Sequence, residues 1–583
     1  MVEIRKYYSF AWRRTMNAHV RNPNEPIENL AIGTIIEVDG AHIVAELKPA
    51  ITELSRIFGG DTYPIGQFGS IVKIHFGRRI IFAFVGKLRM KAEYELERGI
   101  TPQVGGDERV IEADLFGEGE WIQNVSGATT QWQLNFERGV ATYPLPQQTI
   151  YLTPKKELRF IYGHGKGHCV LLGEHVGSGG TPCYAEMNEL LGKHTAVLGS
   201  TGAGKSGTVA AVIHSILERG RTAGHSNWQP RIIILDPHDE YAAAFPTHKK
   251  LSTDDGSLSL PYWFLNFQES VSLLIGKTEF VATSQANIVK MALLKARIEG
   301  AQELSLDATK ITVDSPIPYK LATFRAAVEA DKPPQASKQD SHNSILEKLD
   351  VLVRDARVRF LMSEWVGGNQ DPFPSIIQQL VGDGPQPRII DLSGVPNEVA
   401  GVSSAVVART LFNVKIWQTA DERSKDPVLL VCEEAHRYVP NKGEAQYEAA
   451  QEAIRRIAKE GRKYGLGLLL ISQRPGEVEP TVLSQCNSWI ILRVTNDSDR
   501  EHVRAILPDS MTGLSKMLSG LRRQEAIFVG QAAVLPSRIM IRTLEKEQLP
   551  RSHDIDFDKG WQNVPMTEAQ LKVVATRWRF QQR

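Results

Sequence analysis

The chain has 583 residues, of which 42% are hydrophobic and 23% are charged, so its composition is that of a globular protein with room for roughly two to four domains. The formal net charge is only +1, which excludes a protein that attracts polyanions through its overall field and leaves any such contact to a local patch or an assembled pore. The four cysteines, at positions 169, 183, 432 and 486, show no CxxC pair or metal-ligand spacing, and this pattern disfavours zinc and disulfides.

The N-terminal residues 1–6 are not followed by an apolar segment, and the chain has no uninterrupted run of about 18 apolar residues. We therefore expect a soluble, cytoplasmic protein that does not contact a membrane.

Residues from about 31 to 176 form short β-rich runs separated by glycine. Asp39-Gly40 divides residues 34–38 from 41–47, and Gly77-Arg78 divides 70–76 from 79–88; both are hairpin signals. A glycine-rich stretch at 163–168 then precedes the apolar run 169–172. These features predict a small β-barrel within residues 1–176.

Beyond Pro182 the pattern changes to apolar strand-like runs, each followed by a helix-like segment, which indicates a parallel sheet with helices on its faces. The alternation lapses into charged, helical sequence at residues 268–387, with a polar stretch at 330–340, and resumes at Arg388. We predict an α/β core formed by residues 177–267 and 388–545, a helical insertion at 268–387 and a polar tail at 546–583.

The strongest motif of the chain fits the phosphate-loop pattern GxxxxGK[ST] at every fixed position, after a buried strand at 195–198 and before a helix at 207–218. In this context the backbone N–H groups face the phosphates of ATP, Lys205 neutralises them and the Ser206 hydroxyl holds Mg²⁺. The predicted nucleotide-binding residues are Gly199, Thr201, Gly202, Ala203, Gly204, Lys205, Ser206 and Gly207.

A second apolar strand, 428–432, ends in two consecutive carboxylates. We expect Glu433 to hold the Mg²⁺ water shell and Glu434 to polarise the attacking water, so the pair favours ATP hydrolysis over binding alone. A third strand, 231–235, is followed by Asp236 and Glu240, which either shape the same site or, for Asp236 and the nearby Asp239, begin a helix.

A basic run at 455–463 leads into the strand 466–471, which is followed by Gln473. An arginine from this run could stabilise the transition state in a neighbouring subunit, and Gln473 at the strand end could sense the γ-phosphate. Arg462 is our first candidate for the trans arginine and Arg456 the second; a solvated basic helix face is the alternative for each.

Taken together, the segments 193–206, 236–241, 433–436, 472–475, 483–487 and 491–496 resemble the HerA family of hexameric DNA translocases, which is related to FtsK. The resemblance covers most of the chain and extends to the β-rich N-terminal region. It implies a RecA-like P-loop ATPase core with an N-terminal β-barrel. The sequence departs from the family pattern at Glu433, where the family more often has Asp, and the additional methylene shifts the carboxylate that would ligate Mg²⁺.

The resemblance also implies partners. The chain would form a homohexamer with ATP and Mg²⁺ sites between subunits, and double-stranded DNA would pass through the pore. Lys205, Ser206, Glu433, Glu434 and Gln473 would act in cis. An effector, either a NurA-like nuclease or a sirtuin-like NADase of antiphage defence, would dock on the barrel face.

Two other functions fit the same motifs. One is a nucleotide-binding ring that mainly scaffolds an effector, and the other is a conjugation or secretion ATPase, which the absence of a membrane segment disfavours. The sequence does not place the residues that contact DNA, because Lys290, Lys295 and Arg297 of the insertion fit a solvated face equally well. The tail aromatics, among them Trp561 and Trp578, could cover a neighbouring subunit or their own domain.

Overall fold

The computed structural model describes residues 22–51, 53–101, 108–126, 129–162, 168–176, 180–222, 224, 226–276, 283–382, 384–441, 448–506, 517–551 and 555–580. The expectations for residues 1–6 and 163–167 lie outside these ranges. The chain divides into two compact units, one containing the N-terminal β-rich region and the other containing nearly all of the rest.

Within its described residues, the first unit contains nine strands and two short α-helices, α1 (Lys91–Glu97) and α2 (Lys155–Ile161). The strands are β1 (Ala31–Asp39), β2 (His42–Leu47), β3 (Ser55–Phe58), β4 (Asp61–Pro64), β5 (Ile71–Phe76), β6 (Arg79–Met90), β7 (Arg109–Ser126), β8 (Thr129–Arg138) and β9 (Thr149–Leu152).

Six of these strands close into a barrel in the order β2-β1-β9-β5-β6-β7, because β7 pairs back with β2. Both predicted hairpins are present: β1 pairs with β2 around Gly40, and β5 pairs with β6 around Gly77. Each of these glycines has a positive φ, as a tight hairpin turn requires. The buried aliphatic side chains of alternating strand positions fill the barrel interior, so the predicted β-barrel is confirmed.

The second unit is built on one eleven-stranded sheet. Its strands are β10 (Cys169–His175), β11 (Thr181–Glu186), β12 (Thr195–Leu198), β13 (Arg231–Asp236), β14 (Lys249–Ser252), β15 (Arg388–Asp391), β16 (Val428–Cys432), β17 (Leu466–Ser472), β18 (Ser488–Ile491), β19 (Glu525–Gly530) and β20 (Ser537–Ile541).

Seven of the strands are parallel and neighbour one another in the order β18-β12-β17-β16-β13-β15-β14. β19 and β20 extend the sheet in antiparallel pairing, followed by β10 and β11. The order confirms the predicted α/β, RecA-like core, in which β17 separates the phosphate-loop strand β12 from the carboxylate strand β16. We expected β10 within the barrel region, but it pairs with β20 of the eleven-stranded sheet. The local pattern of β10 did not reveal this pairing because β20 is distant in sequence.

Helices cover the sheet of the second unit. They are α3 (Met187–Gly192), α4 (Lys205–Thr222), α10 (Asn397–Trp417), α11 (Ala420–Lys425), α12 (Glu448–Glu460), α13 (Pro480–Leu483) and α14 (Asp497–Ile506). The central strands are continuous apolar runs because both faces of a parallel sheet are buried beneath helices.

The segment between β14 and β15 is helical in the part of the chain that is described. It contains α5 (Phe267–Ile275), α6 (Thr283–Glu303), α7 (Leu321–Ala330), α8 (Asp340–Arg354) and α9 (Phe373–Val381). Lys290 and Lys295 are exposed, but Arg297 is fully buried, and its guanidinium donates to the backbone carbonyls of Val313 and Leu265. Arg297 therefore stabilises the insertion and is not a candidate for DNA contact.

One helical segment of the described chain, Val399–Trp417, is long and apolar enough to span a membrane by length and composition. It is not an uninterrupted apolar run, because Arg409 and Lys415 lie within it. Its apolar window is 72% buried inside the protein, which is the environment of a core helix between a sheet and other helices.

The tail forms two helices, α15 (Phe557–Trp561) and α16 (Glu568–Phe580). Every side chain from 555 to 580 is exposed, including Trp561 at 81% and Trp578 at 77%. The described residues of the tail therefore contribute no buried side chains to their own chain.

Candidate active site

The phosphate loop joins the end of β12 to the start of α4, with residues 199–204 forming the turn. Gly202 and Gly204 have φ values of +74° and +101°, a backbone conformation that L side chains rarely adopt. At Gly199 a Cβ atom would lie 2.9 Å from the Cβ of Leu492, so glycine is required there for close packing. Glycine is thus favoured at 202 and 204 by the backbone conformation and at 199 by close packing.

Neighbouring strands hold the loop through hydrogen bonds. The N–H of Gly199 donates to the Ser472 carbonyl at 3.3 Å, and the N–H of Ser200 donates to the Arg493 carbonyl at 2.8 Å. The Ser200 hydroxyl accepts from the N–H of Thr495 at 3.0 Å. Since these contacts come from both sides, the loop is preorganised by β17 and β18 for a phosphate chain.

Lys205 is the first residue of α4 and is 8% exposed. Its ammonium donates to the Ser200 carbonyl at 3.2 Å across the loop. Burial lowers the pKa of Lys205, while the negative charges of Glu433 and Glu434 act in the opposite direction. A cation held against the loop by nearby carboxylates is suited to neutralising phosphate oxygens.

Glu433 follows directly after β16 and is 3% exposed. The Tyr241 hydroxyl donates to its Oε2 atom at 2.5 Å. Burial raises the pKa of Glu433 to about 8, and the hydrogen bond from Tyr241 partly opposes that rise. One carboxylate oxygen is thus engaged, and the other remains for the water shell of a cation.

Glu434 has a left-handed backbone, with φ of +53°, and is 7% exposed. Its Oε2 atom lies 3.2 Å from Nδ1 of His436 but makes no hydrogen bond. Burial raises the pKa of Glu434, with the charge of Lys205 opposing the rise. A buried carboxylate with an unbonded oxygen and a raised pKa has the properties of a general base.

Gln473 lies at the carboxyl end of β17, beside the phosphate loop. Its Oε1 atom accepts a hydrogen bond of 2.6 Å from the Thr201 hydroxyl. The structure therefore brings Gln473 and the two carboxylates to the same edge of the sheet as the loop, because β12, β17 and β16 are parallel neighbours.

The two candidate arginines lie at the opposite end of this sheet. Arg462 is in the 3₁₀ turn Gly461–Tyr464 that precedes β17, and its exposed guanidinium makes no hydrogen bond or ion pair with the described residues. Arg456, on α12, stacks over the Phe412 ring at 4.5 Å. Seven strand residues of about 3.3 Å each separate the Arg462 turn from Ser472, a distance of roughly 20 Å. Neither arginine can therefore reach the loop of its own chain.

The remaining candidates have structural contacts. Asp236 is fully buried and accepts from the N–H groups of His238 at 3.1 Å and Tyr241 at 2.9 Å, so it stabilises the turn after β13. Asp239 forms an ion pair with Lys250 at 2.6 Å. Lys193, the first residue of the segment 193–206 that resembles HerA, pairs with Glu189 at 2.6 Å.

Ser206 and Glu433 could hold a Mg²⁺ ion together with phosphate oxygens and water, which is how this cation is commonly bound. The residues that the structure describes contain no group of three or more His, Cys, Asp or Glu side chains arranged to hold a metal ion.

Two residues at the site were not predicted as contributors. Tyr241 fixes Glu433, and the sequence signal available was an aromatic residue shortly after the strand end of β13. Gln524 contacts the phosphate loop through its backbone, donating to the Ala203 carbonyl at 3.1 Å. No local pattern in the sequence marks Gln524.

Comparison with known proteins agrees with this geometry. Residues 170–411 match the family model described as the central domain of helicase HerA. The chain is 28% identical over 424 residues to a probable helicase of Methanocaldococcus jannaschii, covering 69% of this chain and 75% of that protein. It is 26% identical over 408 residues to the DNA double-strand break repair helicase HerA of Sulfolobus acidocaldarius, covering 69% and 74%.

Among solved structures, VirB4 of Thermoanaerobacter pseudethanolicus aligns with a TM-score of 0.45 and 17% identity, over 66% of this chain and 98% of that one. The parallel sheet, the phosphate loop and the paired carboxylates define a P-loop ATPase, an enzyme that hydrolyses ATP. Within that class, residues 170–411 match the central domain of helicase HerA, and the chain is similar in sequence to the HerA helicases.

Proposed function

We propose that this chain is an ATP-driven translocase of double-stranded DNA that acts as a homohexameric ring and requires Mg²⁺. The observation that carries the proposal is the placement of Gln473 and Arg462 around one strand, β17. Gln473 contacts the phosphate loop of its own chain, while Arg462 is exposed at the far end of the strand with an unpaired guanidinium among the described residues.

An arginine that stabilises the transition state in trans requires a neighbouring subunit beside every active site. A closed ring meets this requirement for every subunit, because each head-to-tail interface is the same. The HerA relatives named as DNA double-strand break repair helicases support DNA as the substrate.

The first test is steady-state ATP hydrolysis by the purified chain, with and without linear duplex DNA, together with its mass in solution. We expect a species near six times the 64.9 kDa chain mass and hydrolysis that duplex DNA stimulates. Lys205→Ala should assemble but not hydrolyse, since the charge transferred in the reaction is then uncompensated. Nucleotide-dependent assembly without turnover or a DNA response would instead support an effector scaffold.

Movement along DNA is tested separately from ATP hydrolysis, by strand displacement. A third strand annealed to the duplex should be displaced in the presence of ATP and Mg²⁺ but not with Lys205→Ala or with EDTA. Stimulated hydrolysis without displacement would contradict translocation.

We further propose that the ring acts in the cytoplasm for an effector, a NurA-like nuclease or a sirtuin-like NADase, that docks on the barrel unit. The unit that contains the barrel exposes large apolar side chains outside the barrel strands, including Ile57 at 72%, Leu96 at 63% and Leu145 at 59%. A docked effector would remove such apolar side chains from water, which favours association.

Reconstitution tests the effector. The chain is mixed with each purified effector in turn, and nuclease or NAD-cleaving activity is measured. Leu96→Ser with Leu145→Ser should abolish the gain in effector activity while DNA-stimulated ATP hydrolysis stays intact. If neither effector responds to the unmodified chain, the effector proposal fails and the translocase proposal stands.

A further inference from the structure

Gln524 lies in the turn before β19 and is joined to the phosphate loop. Its N–H donates to the Ala203 carbonyl at 3.1 Å, and its own carbonyl accepts from the N–H of Ile541 at 3.0 Å. Its φ of +62° is left-handed, a conformation that is costly for a residue with a side chain and persists where the surroundings enforce it.

Ion pairs to a buried carboxylate hold this turn. Glu525 is completely buried and accepts from the N–H of Arg522 at 2.9 Å and from the Arg538 guanidinium. Because a buried carboxylate is stable only when paired, these contacts fix the backbone on the C-terminal side of Gln524. The side chain is therefore presented in a defined direction.

That side chain lies along the first turn of α4. A Cβ atom at Gly204 would be 3.1 Å from the Gln524 Cγ atom, and one at Gly207 would be 3.6 Å from the Gln524 Nε2 atom. Gln524 is half-buried, and its amide makes no hydrogen bond within the described parts of the chain. The absence of side chains at 204 and 207 leaves room for the amide and for a ligand beside it.

The order of the loop residues sets which part of ATP lies there. Lys205 faces the β- and γ-phosphates and Ser206 faces the cation, so the next residue along the helix, Gly207, lies toward the α-phosphate and the nucleoside. We propose that the Gln524 amide hydrogen-bonds the ribose of bound ATP and thereby contributes to nucleotide selection. The inference rests on ATP binding to the phosphate loop and is independent of DNA translocation.

The test compares Gln524→Ala with the unmodified chain, using ATP as the substrate and inorganic tripolyphosphate as a competitor. Loss of one hydrogen bond should raise KM for ATP by about 3- to 10-fold and leave kcat nearly unchanged. The inhibition constant of tripolyphosphate, which has no ribose, should not change. The preference of the unmodified chain for ATP over 2′,3′-dideoxy-ATP should be lost in the variant.

Gln531→Ala is a matched control, because Gln531 follows the same strand but its amide oxygen accepts from Lys193 at 2.6 Å. It should behave as the unmodified chain. Gln524→Glu keeps the length of the side chain and should weaken ATP binding, which confirms a side-chain effect if the melting temperature is unchanged.

Equal weakening of ATP and tripolyphosphate by Gln524→Ala would mean that Gln524 only shapes the loop, and an unchanged KM would mean that it makes no contact. Either result overturns the inference. Neither bears on DNA stimulation, so failure here is distinguishable from failure of the translocase proposal.

Discussion

The hydroxyl of Tyr241 donates a hydrogen bond of 2.5 Å to Oε2 of Glu433, and both side chains are buried in the described structure. The two residues are 192 positions apart and follow neighbouring parallel strands, β13 and β16. Tyr241 thereby holds the carboxylate that we assign to the cation in a fixed position, with one oxygen already satisfied.

Tyr241→Phe should destabilise the protein by about 1–3 kcal/mol, because it leaves a buried carboxylate oxygen without its donor. Urea denaturation of the nucleotide-free protein measures this change in unfolding free energy. Tyr438→Phe is the control: the Tyr438 hydroxyl is buried and has no hydrogen-bond partner among the described residues. Equal losses in the two variants would show that the bond to Glu433 contributes nothing.

Glu433 should make the nucleotide-free protein less stable as the pH rises. Burial raises its folded pKa to about 8 from an ordinary value of 4.5, so the folded state retains a proton that the unfolded state releases. The resulting stability is fully present below pH 4.5 and is lost as the pH rises through about 8.

The substitution Glu433→Gln removes the titrating carboxyl group and with it this loss of stability at high pH. The melting temperature of the variant relative to the unmodified chain should rise steadily from about pH 5 to pH 8.5. Titrating groups that do not interact with Glu433, such as His194 with a pKa lowered by burial to about 4, are present in both proteins and cancel in the comparison. A difference that does not vary with pH would contradict a protonated Glu433.

Glu434→Gln should lower kcat by about 10²- to 10⁴-fold and leave nucleotide affinity largely intact, as expected when a general base is removed. Single-turnover hydrolysis and equilibrium binding of ATP separate the two effects. Glu547→Gln, at an exposed position, should change neither quantity. Near-normal turnover by Glu434→Gln would show that another residue acts as the general base, and Glu433 would be the next candidate.

Arg462→Ala and Lys205→Ala should each be inactive alone. If Arg462 acts on a neighbouring subunit, mixed rings contain some interfaces that carry both native groups, and activity should recover with a maximum at intermediate mixing ratios. Lys463→Ala removes an adjacent exposed cation and should remain active by itself. An absence of recovery at every ratio would favour Arg456 or a structural role for Arg462.

The parts of the site that the sequence predicted are those encoded by neighbouring residues. Gly199 to Gly207 specify the phosphate loop within one turn, and Glu433 and Glu434 are marked by the apolar strand that precedes them. The parallel arrangement of strands then places both at one edge of the sheet. Local patterns suffice because each feature depends on a strand end and not on a particular distant contact.

The missed features depend on pairings between distant segments. The bond from Tyr241 to Glu433, the contact of Gln524 with Ala203 and the pairing of β10 with β20 each join residues far apart in the chain. Arg297 was misjudged for a related reason: its burial is decided by the carbonyls of residues 265 and 313, not by the helix that carries it.

Strand β17 is buried along its whole length and is hydrogen-bonded on both sides, to β12 and to β16. We therefore expect this strand to move as one rigid element, with Gln473 at one end and the Arg462 turn at the other. If Arg462 acts on the next subunit as proposed, a displacement of Gln473 when the γ-phosphate leaves would be transmitted along the strand to that arginine. In a ring, this coupling would make ATP hydrolysis sequential, because phosphate release at one site would reposition the arginine that acts at the next.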